Sequence, residues 1–161
     1  MGIGMITIRP FVEADAAAAA ELERRHQPTP WSERVFRDEL EAPSRIYLAA
    51  DEDGVLVGYA GAMLVMEEAH VTNLFVEPGH RRTGLGRRLM VELIAEAVVQ
   101  GARHLTLEVR TRNEAARALY ASLGMAPVGI RPGYYGDDDA LIMWAHDIDR
   151  PDFLERLRGK A

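Results

Sequence analysis

Between the apolar run Val71 to Val76 and the amphipathic segment Leu89 to Val98, the chain reads Arg81-Arg82-Thr83-Gly84-Leu85-Gly86-Arg87. An apolar run, a glycine pair and a helix start in that order describe a place where backbone N–H groups close around phosphate. Glycine lets the chain approach a ligand without a Cβ in the way. The first turn of a helix carries N–H groups with no intrahelical acceptor and the positive end of the helix dipole. Arginine adds forked donors for phosphate oxygens. A diphosphate-bearing ligand is the first expectation. The P-loop pattern is absent, because Arg87-Arg88 follows Gly86, and the dinucleotide fingerprint fails because Leu89 stands where its third glycine would be.

The 161 residues suit one domain, and with 48% of them apolar there is material for a core. A net charge of −6 argues against nucleic acid as a partner and suits a basic or amine-bearing substrate better. The chain has no cysteine, so disulfides, thiolate metal sites and a cysteine nucleophile are excluded. The start Met1-Gly2-Ile3-Gly4-Met5-Ile6 carries neither a secretory nor a myristoylation pattern. Val55 to Met66 is too short to span a membrane and is interrupted by Gly58 and Gly61. A cytoplasmic protein without membrane attachment is expected, as a monomer or a weak dimer.

Alternation of Ile6 and Ile8 with Thr7 and Arg9 predicts a first strand over Met5 to Phe11. Asp15 is placed to cap a helix to about Arg25, and the turn His26 to Pro30 ends it. Ser32 is a second N-cap, before Val35, Phe36, Glu39 and Leu40 at helical spacing. Strands follow over Arg45 to Ala50, Val55 to Met66 and His70 to Val76, with Asp51 to Gly54 as a hairpin turn. The helix carrying Met90, Leu93, Ile94 and Ala97 ends near Gly101. A strand over Leu105 to Val109, a helix from Asn113 to Gly124, and strands over Met125 to Ile130 and Ala140 to Asp147 complete the order. The charged tail, residues 150–161, reads as a weak final helix from Pro151. The whole reads as one α+β (mixed α/β) domain over residues 1–161, a largely antiparallel twisted sheet flanked by helices.

Glu108 is a carboxylate in an otherwise apolar strand, which costs free energy unless it is wet, paired or used. Tyr120 lies on the apolar stripe of its helix, where an ordinary core tyrosine is the alternative. Asn113 reads first as an N-cap. Trp31, after Pro30, is either a substrate contact or a staple for the second helix. Tyr134-Tyr135 and Asp137-Asp138-Asp139 form a loop before the last strand, the aspartates exposed and suited to a basic peptide unless they are only a solvated turn. The five histidines show no ligand spacing, so no metal is expected, and no G-x-S-x-G elbow occurs.

Taken together these pieces resemble the GCN5-related N-acetyltransferase (GNAT) family over nearly the whole chain. Arg82 to Arg87 is similar to its acetyl-CoA signature, [QR]-x-x-G-x-[GA]. Four segments resemble the bacterial ribosomal-protein-alanine N-acetyltransferases within it. They are Pro30-Trp31-Ser32, Leu107 through Asn113 to Tyr120, Tyr134-Tyr135, and Asp139 to Met143. The resemblance implies that Leu74, Phe75 and Val76 lie along the acetyl and pantetheine arm. It implies that Arg82, Thr83, Gly84, Leu85, Gly86 and Arg87 wrap the pyrophosphate, and that Asn113 touches the cofactor. Glu108 matches the general base and Tyr120 the general acid, while Trp31, Tyr134 and Tyr135 contact the substrate.

The implied reaction is direct acetyl transfer from acetyl-CoA to a protein α-amino group, with no metal. Its implied acceptor is the N-terminal alanine of the eighteenth small-subunit ribosomal protein, a basic partner. An α-amine titrates near pH 8 and a lysine near 10.4, a difference of about 3.4 kcal/mol in deprotonation cost. A carboxylate base therefore suits an N-terminus better than a lysine. A family member acting on protein lysines or another small amine is the alternative. A non-catalytic acyl-CoA-binding module would be expected to lack Glu108 or Tyr120, and both are present.

Overall fold

A computed structural model describes residues 5–159. Among the described residues seven strands and five α-helices follow one another. They are β1 (Ile6–Pro10), α1 (Ala16–His26), α2 (Glu33–Glu41), β2 (Arg45–Glu52), β3 (Val55–Val65), β4 (Glu68–Val76), α3 (Leu85–Val99), β5 (His104–Arg110), α4 (Glu114–Ser122), β6 (Ala126–Arg131), β7 (Ala140–His146) and α5 (Pro151–Gly159). The strands hydrogen-bond in the order β1-β2-β3-β4-β5-β7-β6. β1 with β2, β5 with β7 and β6 with β7 are antiparallel, while β4 runs parallel to β5. The expected α+β class and largely antiparallel sheet are what the chain forms.

By packing the chain falls into two compact units, one up to Ala62 with Asn73–Leu93, the other Met63–Thr72 with Ile94 onward. The first is built on aromatic rings. Phe11, Phe36, Tyr47, Tyr59 and Phe75 are all buried, and Phe36 and Tyr59 meet edge-on at 5.5 Å. Such pairs add about 0.5–1.5 kcal/mol each beyond their burial. Gly58 in β3 makes room for β4, because a Cβ there would stand 2.8 Å from the Phe75 carbonyl oxygen.

Local signals act as the sequence predicts at most element ends. Ser32 Oγ accepts from the Val35 N–H at 3.2 Å, and Asn113 Oδ1 accepts from the Ala116 N–H at 3.1 Å. Trp31, one residue before the Ser32 cap, packs on Phe36 with ring centroids 5.3 Å apart, the staple arrangement. Asp15 is different. It makes no side-chain cap on α1; its carboxylate is buried and accepts from both Arg9 Nη atoms at 2.8 and 2.9 Å and from the Val12 N–H. The pairing with Arg9 ties β1 to the start of α1.

In the second unit Leu105, Leu107 and Val109 are buried, as are Leu141, Met143 and Ala145 opposite them in the β5–β7 register. Glu108 pairs with Ile142 and belongs to the other face. β6 is exposed along its length and accommodates Pro127 beside a register shift at Pro127/Gly129. Within the charged tail, Pro151–Gly159 forms α5 and buries Leu157, while residues 160–161 lie outside the described residues. No helix among the described residues is long and apolar enough to cross a membrane. His104 and His146 meet across β5 and β7, Nδ1 to Nδ1 3.2 Å apart, a pairing that linear spacing did not suggest.

Candidate active site

In the first unit β4 leads through a 3-10 turn, Pro78–His80, into the glycine loop and α3. Glu77 caps that turn, its Oε1 accepting from the Gly79 N–H at 2.5 Å. His80 Nε2 stands 2.8 Å from Glu52 Oε1, and its Nδ1 is 3.5 Å from Glu77 Oε2, an ionic contact rather than a hydrogen bond. The Glu52 hydrogen bond raises the His80 pKa above its ordinary value. Thr83 Oγ1 donates to the His80 carbonyl at 2.5 Å, so that hydroxyl shapes the loop.

The loop itself is left-handed at two places, Arg82 with φ 64° and Gly84 with φ 81°. A β-carbon costs free energy in that region, so Arg82 is a strained position and Gly84 a fitting one. A Cβ built on Gly84 meets nothing within 4 Å, which leaves open space beside the start of α3. Leu85 turns its side chain into the core, so it can offer a ligand only its backbone. Gly86 is half-buried in the first helical turn, and Arg88 Nη2 donates back to the Ile6 carbonyl.

On β4, Leu74 and Val76 are half-buried, while the Phe75 ring is committed to the core, stacked on Tyr59 at 5.3 Å. Any ligand contact at Phe75 is therefore through the main chain. Next to this stretch Asn73 holds a buried Oδ1 with no hydrogen-bond partner among the described residues. An unpaired buried acceptor costs about 1–3 kcal/mol, which a ligand donor would recover.

The second unit gathers the residues expected to do chemistry. The Glu108 side chain is 26% exposed, and Arg131 Nη1 stands 3.7 Å from its Oε1. Tyr120 is buried, and burial, with a smaller contribution from Tyr135, pushes its phenol up to about 12. The Tyr135 phenol is also raised, by burial first and then by Tyr134 and Glu108. Its ring meets Tyr134 edge-on at 5.0 Å. Asn113 spends its Oδ1 on the α4 cap.

The acidic run departs from expectation. Asp138 is buried, its Oδ1 accepting from Thr111 Oγ1 at 2.5 Å and its Oδ2 from the Arg112 N–H at 3.1 Å. Asp137 pairs with Arg110 at 2.6 Å, and Asp139 Oδ1 accepts from the Gly133 N–H at 2.8 Å. The run fastens the loop before β7 to the end of β5, and only Asp137 is well exposed. Nothing in the sequence signals the Asp137 and Asp138 partners, which lie 26 or 27 positions away.

The Acetyltransferase (GNAT) family model matches residues 16–125. The chain belongs to the GNAT acetyltransferase family. Members of this family take their acetyl group from acetyl-CoA. The chain is 42% identical over 127 residues to a putative [ribosomal protein bS18]-alanine N-acetyltransferase of Bacillus subtilis, covering 77% of this chain and 84% of that one. It is 40% identical over 136 residues to the N-alpha-acetyltransferase RimI of Mycobacterium tuberculosis, covering 81% and 84% respectively. The crystal structure of the ribosomal-protein-S18-alanine N-acetyltransferase from Escherichia coli superposes with a TM-score of 0.81 at 37% identity, covering 89% of this chain and 94% of that one.

Proposed function

We propose that the protein transfers the acetyl group of acetyl-CoA to the N-terminal α-amino group of a protein, with an N-terminal alanine of ribosomal protein bS18 as acceptor. The names of the three similar proteins above support this substrate class. A ribosomal protein as acceptor supports the reading of a cytoplasmic reaction.

The residues present fit acetyl-CoA. Arg82 to Arg87 bring two left-handed residues, a helix start and arginines to one loop, the chemistry of a diphosphate cradle. Asn73 Oδ1 is a buried acceptor in need of an N–H, and a pantetheine arm carries amide N–H groups. When bound, acetyl-CoA supplies an electrophilic thioester carbonyl and a thiolate leaving group.

The setting of Tyr120 is the observation that carries the chemistry. A phenol pushed up to about 12 keeps its proton throughout the working pH range and has one to give a departing thiolate. Glu108, part-exposed with Arg131 beside it, takes the proton that the attacking amine loses. The N–C bond forms as the C–S bond breaks, so no acyl-enzyme is required. Trp31 in the first unit, and Tyr134 and Tyr135 in the second, are the proposed contacts for the acceptor.

The test is the steady-state kinetics of Glu108→Gln and Tyr120→Phe on an alanine-initiated peptide. Turnover falls about 100-fold or more in each, with acetyl-CoA affinity within a few-fold of the parent. Near-normal turnover of Glu108→Gln at every pH removes it as the base.

A further inference from the structure

We propose that Glu23 is a positioning residue for the acceptor peptide, its buried carboxylate setting the segment between α1 and α2 that presents Trp31. The proposal rests on the reading that Trp31 contacts the acceptor.

Glu23 lies near the end of α1 and is 5% exposed. Its Oε1 accepts from the Trp31 backbone N–H at 3.0 Å, and its Oε2 accepts from the Tyr59 hydroxyl. Tyr59 is fully buried on β3 and stacks on Phe75, which in turn stacks on His26 at 5.7 Å. One carboxylate thus joins the α1–α2 segment to the wall formed by β3 and β4.

Stability alone does not account for a carboxylate here. The surroundings are aromatic, and a well-packed apolar side chain in place of a buried ion is often neutral or better for stability. What an apolar side chain cannot do is fix the Trp31 backbone. The segment Gln27-Pro28-Thr29-Pro30-Trp31 has two prolines that offer no N–H, and it forms neither helix nor strand. The Trp31 N–H is where the segment is fastened by a hydrogen bond to this carboxylate. Its indole also staples α2 through Phe36, so Trp31 is held at both backbone and ring.

The experiment is peptide acetylation by the full chain, with KM for peptide and for acetyl-CoA measured separately. Glu23→Leu keeps volume and accepts nothing; Glu23→Gln keeps an oxygen for Trp31 and can donate to the Tyr59 oxygen. Glu23→Leu should raise the peptide KM tenfold or more, with acetyl-CoA KM within twofold and kcat within about threefold. Glu23→Gln should bring the peptide KM back to within threefold of the parent. A peptide KM unchanged in Glu23→Leu, or both KM values rising together, overturns the proposal. If Glu23→Leu does not fold, Tyr59→Phe decides: a severalfold rise in peptide KM alone supports the proposal, and an unchanged one overturns it. A parent enzyme with no peptide turnover overturns the functional reading and this proposal with it, whereas an active parent with an insensitive Glu23 overturns this proposal alone.

Discussion

The Arg110 guanidinium lies over the Tyr135 ring, its carbon 4.4 Å from the ring centroid, while its Nη1 pairs with Asp137 at 2.6 Å. One arginine thereby orients a tyrosine of the candidate site and ties down the loop that carries it. Cation–π contacts of this kind contribute about 0.5–2 kcal/mol, more when desolvated. The acidic run is internal scaffolding first, and its charge is partly neutralised by Arg110 and Arg112.

The consequence for Asp138 is a pH-dependent stability rather than a salt-dependent specificity. The Thr111 hydrogen bond, with others from the backbone, holds its carboxyl below the ordinary carboxylate value. Its contribution is therefore complete above the unfolded pKa, about 3.9, and is lost as pH falls through the lowered folded value. Thermal unfolding followed from pH 6 to 2 should show Asp138→Asn closing the gap with the parent as pH falls. Peptide KM in that variant should rise equally for basic and neutral alanine peptides at low and high salt. A rise confined to basic peptides, fading with salt, contradicts this account.

Gly86→Val should put a branched Cβ into the first turn of α3 beside the phosphate loop. Acetyl-CoA affinity measured by calorimetry should fall more than tenfold, about 1.4 kcal/mol or more. Unchanged affinity in a folded variant removes the loop from the binding site.

The Tyr120 phenol at about 12 has a kinetic signature. The parent kcat should show no alkaline decline from this group up to about pH 10, because the acid stays protonated. Tyr120→Phe should lower the whole profile without moving a limb. An alkaline limb near pH 9 in the parent that vanishes in Tyr120→Phe contradicts the burial argument.

His80 carries the opposite sign. Glu52 raises its pKa, so its stabilising contribution is complete below about 6.5 and is lost as pH rises through the raised folded value. An NMR titration should place the His80 midpoint above 6.5, and Glu52→Gln should lower it. A parent midpoint at or below 6.5 contradicts the contact.

Legibility followed the range of the interactions. The Ser32 and Asn113 caps, the Trp31 staple and the ends at Gly101 and Gly124 are written in neighbouring residues and appear where read, whereas the turn read over Asp51 to Gly54 narrows to Asp53-Gly54 because β2 runs on to Glu52. The insertion of β7 between β5 and β6 and the parallel β4–β5 pairing depend on contacts far apart in the chain, and periodicity carries no sign of them. Glu23 carried no signal of its own in the sequence, because its partner Tyr59 is 36 positions away. Asp15 read as a cap because the type and place suited one, and Arg9 claimed it instead. Glu108 was visible as a carboxylate out of pattern and Tyr120, in pattern on its apolar stripe, only through the family resemblance, whereas Arg110, which lies over Tyr135, carried no such signal.

The most direct test of the central claim is where the acetyl group lands. The protein is incubated with acetyl-CoA and an alanine-initiated basic peptide containing an internal lysine, alongside the same peptide with its α-amine blocked, and products are mapped by tandem mass spectrometry. The account predicts one acetyl group on the alanine α-nitrogen of the free peptide and none on the blocked one. Acetylation of the lysine in both peptides, with the α-amine untouched, would contradict it.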